Sequence, residues 1–195
     1  TPAVDLPALL GRFAPADLGA FRSRVRGLPS LAGELPAAAL AEEIDTPGPG
    51  QIRALLTSAG NPVLSAPNGT RLDRALAALA FMASIDLYVN ETTRHAHVIL
   101  PPTPTLAHGH YDLLLHLTAV RNTARYSPPI LAPDPGSRHD WEIYAGLQAR
   151  LAPAAVRGLA AALLGQASPE RIVDLLLRAG PHGDRFGLRP AGLSL

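Results

Sequence analysis

The chain has 195 residues, of which 47% are hydrophobic and 17% are charged, and its formal net charge at neutral pH is +1. This length and this hydrophobic content predict a globular protein with a substantial core and exclude an intrinsically disordered chain. A charge so close to zero argues against a nucleic-acid surface, and no apolar run approaches the roughly 18 residues that a membrane-spanning segment needs.

The first 50 residues predict a helical lead-in that packs on the domain after it. Helices are expected over 17–25 and over 36–44, where Pro36 can occupy the first turn without loss of a hydrogen bond. The Gly- and Pro-rich run 46–50 then predicts a turn into the next domain.

Three short apolar runs predict the strands of a parallel sheet, because turn residues or prolines bound each of them. They cover residues 52–57, 81–86 and 98–100. The connection 61–80 has the length of a right-handed crossover. The spacing of its apolar residues 72, 75, 76 and 79 predicts a helix, and Thr70 is its expected cap in the capping-box-like run Thr70 to Asp73. We therefore predict an α/β fold, a three-layer α/β/α Rossmann-like parallel sheet, in a domain that spans residues 51–151.

The last part of the chain predicts mainly helices. After a loop over 103–112, the run 113–120 is compatible with a strand or a short helix. Asp140 is the expected cap of a helix over 141–151. Residues 152–195 are expected to form a helical C-terminal extension with an irregular tail, and its two helices cover 154–164 and 169–179, the second between Ser168 and Gly180.

The turns that follow the predicted strands are the candidate binding site, because ligands of parallel α/β sheets bind beyond the carboxyl ends of the strands. In Gly60-Asn61-Pro62, residues that tolerate positive φ can expose backbone amides to a phosphate, although an ordinary turn has the same composition. The three-glycine dinucleotide fingerprint is absent. Asp86 can accept two hydrogen bonds from a guanine edge or a ribose, or can cap the segment after it. Asn90 is interpreted as a local cap of the residues that follow it.

A histidine-rich loop offers a different chemistry. His108, His110 and Asp112 match half of a His-x-His-x-Asp-His zinc pattern, but position 113 is Leu instead of the final histidine. Surface histidines without a metal are the other interpretation. A zinc-dependent hydrolase that uses this loop therefore stays an alternative function.

The order and spacing of several residues resemble those of the molybdopterin-dependent oxidoreductases, the dimethyl sulfoxide reductase family that includes formate dehydrogenases and nitrate reductases. The matching residues are Gly60-Asn61-Pro62, Asp86, Glu91-Thr92, Ala96 and Val98-Ile99-Leu100-Pro101. In that family, two related α/β domains each hold the nucleotide end of one molybdopterin guanine dinucleotide. The resemblance implies that residues 51–151 correspond to the second of these domains.

The resemblance also implies a set of cofactor-binding residues, and it implies no catalytic or metal-ligating residue in this chain. The implied cofactor-binding residues are Gly60, Asn61, Pro62, Ser65, Ile85, Asp86, Thr92, His97 and Pro102. The cofactor would carry molybdenum or tungsten in a full-length parent, and no cofactor is expected to be already bound to the isolated chain. The implied partners are the remaining domains of that parent.

Two positions depart from the family pattern, which has an acidic residue where this chain has His97 and a Glu where it has Ala107. An imidazole at position 97 removes an acceptor-only group, so a non-catalytic α/β scaffold that has lost the ligand is a third possibility. In that family the metal ligand and any iron–sulfur cysteines lie toward the N-terminal side of this region. The resemblance therefore implies that this chain, which has no cysteine, cannot carry the redox chemistry alone. The absence of cysteine favours a cytoplasmic location. The absence of an initiating Met favours a segment of a longer protein.

Overall fold

A computed structural model of the chain describes residues 19–31, 33–112, 115–116, 119–121, 123–155, 157–158 and 168–195. These residues belong to two compact units, one of which ends at Pro102 while the other continues from Thr103. None of the described helices is long and apolar enough to cross a membrane. The domain boundaries at residues 50 and 151 stay predictions.

The unit that ends at Pro102 contains a three-stranded parallel sheet. Its strands are β1 (Ala54–Ser58), β2 (Phe81–Ile85) and β3 (Val98–Leu100), and β2 lies in the middle. Leu56 is paired with Ala83, which is paired with Val98, so the carboxyl ends of the three strands lie at one edge. The predicted α/β class, with a parallel sheet and flanking helices, is confirmed.

Three helices of this unit pack against the sheet, namely α1 (Leu40–Asp45), α2 (Pro62–Ser65) and α3 (Gly69–Ala77). A 3₁₀ turn over Ala37–Ala39 precedes α1, which confirms a helical segment after Pro36. The helices α2 and α3 form the crossover between β1 and β2. The core of the unit joins α1 and α3 to the middle strand through Ala41, Ile44, Leu72, Ala75, Leu76, Leu79 and Met82.

The helix α3 begins at Gly69 and not at the predicted capping residue Thr70. Asn68 is the actual cap, with a φ of 59°, and its side-chain oxygen accepts a hydrogen bond from the Arg71 amide at 3.3 Å. The prediction of Thr70 as the cap is therefore wrong. Asn is one of the few residues that adopt the left-handed conformation readily, and its short side chain still reaches the third amide.

The prediction of a helix over 17–25 is wrong for residues 19–25, which are the ones that the structure describes, because they form an irregular turn. Gly19 has a φ of +79°, which a right-handed helix does not allow. Arg24 lies 3.4 Å from the carboxylate of Glu43 in α1 and donates to the carbonyl oxygen of Thr46 at 2.6 Å. These bonds to α1 and to the residue after it, together with backbone bonds from Gly19 and Ser23 to residues 30 and 28, hold an irregular turn where local propensity favours a helix.

The unit that continues from Thr103 contains two long helices and a short antiparallel ladder among its described residues. These are α4 (Asp140–Leu151), α5 (Pro169–Ala179), β4 (His110–Tyr111) and β5 (Tyr126–Ser127). The prediction of α5 is confirmed, because Ser168 caps it and Gly180 follows its last residue. The cap of α4 is His139, one residue before the predicted one. Half of the run 113–120 and most of the run 154–164 lie outside the described residues.

Candidate functional site

The carboxyl end of β1 leads into a turn with two consecutive residues at positive φ, Ala59 at 51° and Gly60 at 75°. The Ala59 amide donates to the carbonyl oxygen of Ile85 at 2.8 Å, which ties the turn to the end of β2. A Cβ atom on Gly60 would meet no atom within 4 Å, so the turn is open on that side. Among the described residues the backbone amides of Gly60 and Asn61 have no acceptor, and both are available to a ligand.

The side chain of Asn61 is held at both ends. Its Nδ2 donates to Glu91 Oε2 at 2.6 Å, and its Oδ1 accepts from Thr92 Oγ1 at 2.7 Å. Thr92 is fully buried, and its hydroxyl oxygen also accepts from the Val63 amide at 3.0 Å. The hydrogen bond from Asn61 lowers the pKa of Glu91, so this carboxylate is charged at neutral pH. Thr92 therefore fixes which way the Asn61 amide points.

Asp86 follows β2 and lies at the same edge of the sheet. Its Oδ1 accepts from the Tyr88 amide at 3.2 Å, and its Oδ2 accepts from Asn90 Nδ2 at 3.3 Å. Asn90 Oδ1 accepts from the Thr92 amide at 2.9 Å, so a continuous network links Asp86 to Asn61. A carboxylate offers about four acceptor positions, which leaves two on Asp86 for a ligand.

Four other predicted site residues take supporting positions. Pro62 is the first residue of α2, and Ser65 Oγ donates to the Asn61 carbonyl oxygen at 3.1 Å. Ile85 is buried, so its side chain serves the core. Pro102 lies two residues beyond β3 and is half-buried. Ser65 thus stabilises the turn in which Asn61 lies.

His97 lies at the other end of the strands, where β2 and β3 begin. Its backbone amide donates to the Met82 carbonyl oxygen at 2.8 Å, and its Nδ1 accepts from the Met82 amide at 3.1 Å. Its ring stacks on Phe81 with 5.6 Å between the centroids. Because Phe81 and Met82 begin β2 whereas Asp86 follows its end, the structure does not bring His97 together with Asp86 and Asn61.

The histidine-rich loop does not assemble a zinc site. Across the part of the chain that the structure describes, no three His, Cys, Asp or Glu side chains come close enough to hold a metal ion. Asp112 accepts from the Leu115 amide, and the ring of His108 contacts the ring of His139 edge-on at 6.4 Å. The zinc alternative therefore lacks its ligand geometry.

Sequence reasoning missed the bonds that join the two loops at this edge. It interpreted Asn90 as a local cap, and Asn90 does accept from the amides of Thr92 and Thr93. It gave no sign that Glu91 contacts Asn61, 30 residues away. The expected proximity of strand ends in a parallel sheet was the one signal that could have suggested this contact.

Parts of two known redox-enzyme subunits are similar in sequence to this chain. The chain is 34% identical over 104 residues to the assimilatory nitrate reductase catalytic subunit of Bacillus subtilis, which is 52% of this chain and 14% of that protein. It is 30% identical over 168 residues to the NADPH-Fe(3+) oxidoreductase subunit alpha of Geobacter sulfurreducens, 80% of this chain and 19% of that protein. No protein-family model matches the chain.

These relatives support the resemblance at the level of the enzyme family. A nitrate reductase subunit is among them, as expected for a chain related to the family that includes nitrate reductases. The chain spans less than a fifth of the length of either relative.

Proposed function

We propose that this chain is a cofactor-binding segment of a molybdopterin oxidoreductase and that it holds the guanosine end of one molybdopterin guanine dinucleotide. The observation that carries the proposal is the hydrogen-bonded network from Asn61 through Thr92 and Asn90 to Asp86, at the carboxyl ends of two neighbouring parallel strands. This is the edge at which such sheets bind nucleotides. The similarity to a nitrate reductase catalytic subunit supports the choice of family.

The groups at this edge fit a guanine nucleotide. Guanine presents an N–H and an amino group side by side, and the two remaining acceptor positions of Asp86 match them. Tyr88 and Val89, each 75% exposed, lie next to Asp86 and offer a surface on which a purine could stack. The amides of Gly60 and Asn61 suit a phosphate oxygen. The Asn61 and Thr92 side chains are hydrogen-bonded to each other. They would therefore hold the turn in place without contacting the ligand.

The bound group would supply the chemistry, a two-electron oxidation or an oxygen-atom transfer at molybdenum or tungsten, and this chain would supply binding and orientation. The chain has no cysteine, so any cysteine ligand of the metal or of an iron–sulfur cluster would belong to the remaining domains of a parent protein. Those domains would be its partners, and the cytoplasm is the location we propose for the assembly.

The proposal predicts selective binding of a guanine nucleotide. Titration of the ¹⁵N-labelled protein with GDP should shift the amide signals of Gly60, Asn61 and Asp86, and ADP should shift them less because adenine lacks the paired donors. Asp86→Ala should abolish the GDP-dependent shifts while the remaining signals keep their positions. Asp134→Ala, at an exposed carboxylate in the other unit, should leave the shifts unchanged.

Two outcomes would contradict the proposal. Absence of shifts at millimolar GDP would favour the scaffold that has lost its ligand. Undiminished shifts in Asp86→Ala would remove this carboxylate from the site.

A further inference from the structure

A cavity of about 300 Å³ lies within the unit that continues from Thr103, and six ring side chains line it. They come from the β4–β5 ladder, the loop before it and the first turn of α4, and are His108, His110, Tyr111, Tyr126, His139 and Trp141. This volume is at the lower end of the range for small-molecule sites, which are typically lined by aromatic side chains and a few polar groups.

Several contacts fix the walls of this cavity. A Cβ atom on Gly109 would overlap the hydroxyl of Tyr126, so the glycine lets the tyrosine ring lie against the backbone. Thr103 Oγ1 is hydrogen-bonded to His139 Nδ1 at 2.7 Å, and the His139 ring stacks on Trp141 with 12° between the ring planes. The rings of Tyr126, His139 and Trp141 are therefore held in place before any ligand binds.

With histidine counted as neutral, the formal charge of the cavity lining is negative. Its described lining contains two carboxylates, Asp140 and Glu170, and no Arg or Lys. Asp140 Oδ1 accepts from the Trp141 amide at 2.8 Å. The half-buried carboxylate of Glu170 makes no hydrogen bond or ion pair with any described residue. A partly buried carboxylate without a partner among the described residues favours a cationic ligand.

The helix ends beside the cavity do not reverse this preference. The first turns of α4 and α5 carry partial positive charge, which would favour an anion. However, the Trp141 amide is already bonded by Asp140, and the Arg171 amide donates to the capping oxygen of Ser168 at 3.4 Å. An anion would therefore find two carboxylates and few free amides.

We propose that this cavity binds a small planar organic cation, whose ring packs between the aromatic side chains and whose charge lies against Glu170. Aromatic faces attract cations through their ring quadrupoles, and planar ligands stack on them with little loss of freedom. This site is independent of the proposed nucleotide site, because all of its residues belong to the other unit.

The single tryptophan of the chain gives a direct measurement, because Trp141 lines the cavity. Benzamidinium, benzamide and benzoate share one shape and carry charges of about +1, 0 and −1 at neutral pH. Benzamidinium should change the Trp141 fluorescence in a saturable way, benzamide should bind roughly tenfold more weakly, and benzoate should not bind. Equal or tighter binding of benzoate, or no saturable response to benzamidinium, would overturn the proposal.

The Glu170 carboxylate is tested by Glu170→Gln, which keeps the shape of the side chain and removes its charge. Affinity for benzamidinium should fall roughly tenfold, while benzamide binding should stay the same. Glu34→Gln changes an exposed glutamate in the other unit and should alter neither affinity. An unchanged benzamidinium affinity in Glu170→Gln would overturn the assigned role of this residue. Because the Glu170 carboxylate makes no bond with any residue that the structure describes, loss of structure should not obscure the result.

Discussion

One hydroxyl group organises the candidate nucleotide site. Thr92 Oγ1 donates to Asn61 Oδ1 and accepts from the Val63 amide, and the side chain that carries it is fully buried. Neither contact lies close in sequence, since Thr92 is 31 residues from Asn61 and 29 from Val63. The hydroxyl therefore joins the loop after β2 to the first turn of α2.

Thr92→Val, which keeps the shape of the side chain and removes its hydroxyl, should destabilise the protein by about 1–3 kcal/mol. The loss is expected because the Val63 amide and the Asn61 side-chain oxygen would both lose a buried partner. Urea unfolding measures the change, and Thr105→Val, at an exposed threonine, is the matched control. Equal unfolding midpoints for the two variants would contradict the assigned role of the hydroxyl.

At the scale of elements, the junction of α2 and α3 shows why sequence patterns locate a helix better than its first residue. Apolar spacing predicted a helix in this connection, and α3 is there. Its start depends on Gly69, where a Cβ atom would overlap the carbonyl oxygen of Val63 in α2. That close approach of two backbones is a tertiary contact, and no local pattern encodes it.

Gly69→Ala should therefore destabilise the protein by about 1–3 kcal/mol, as overpacking does, although Ala is normally preferred to Gly inside a helix. Gly146→Ala in α4 is the matched control, because a Cβ atom there would meet only the mobile end of the Arg150 side chain, at 3.2 Å. We expect this second change to stabilise the protein by roughly 0.5–1 kcal/mol. Stabilisation by both substitutions in thermal unfolding would contradict the close packing of α2 and α3.

At the scale of the whole molecule, the sequence predicted the elements whose bounds are set by residues close together in the chain. The three strands differ from their predicted bounds by at most two residues, and α5 begins and ends at its predicted Ser and Gly signals. The turn over 19–25 and the position of His97 were not predictable from local patterns. The first depends on bonds to residues farther along the chain, among them the ion pair of Arg24 with α1, and the second depends on the pairing of His97 with the start of β2.

Charge pairs distributed over both units make the stability of the molecule depend on pH. The pKa values of Asp45, Asp73, Glu91 and Asp174 are all lowered in the fold, in each case mainly by a hydrogen bond to the ionised carboxylate. Asp73 shows the effect most directly, because His95 and then Arg94 lower its pKa from the ordinary 3.8. The ionised form of such a group stabilises the fold at any pH above its ordinary pKa.

Acidification from about pH 6 to about pH 3 should therefore lower the urea midpoint of the unit that contains Asp73, because this contribution is lost as the pH falls toward the lowered pKa. The amide signals of β2 report on that unit alone. Asp73→Asn removes the titrating group and should reduce the difference between the two midpoints, whereas Asp134→Asn, at an exposed carboxylate in the other unit, should not. If Asp73→Asn and the unchanged protein lost the same stability between the two pH values, the carboxylate would not be charged and paired as the geometry requires.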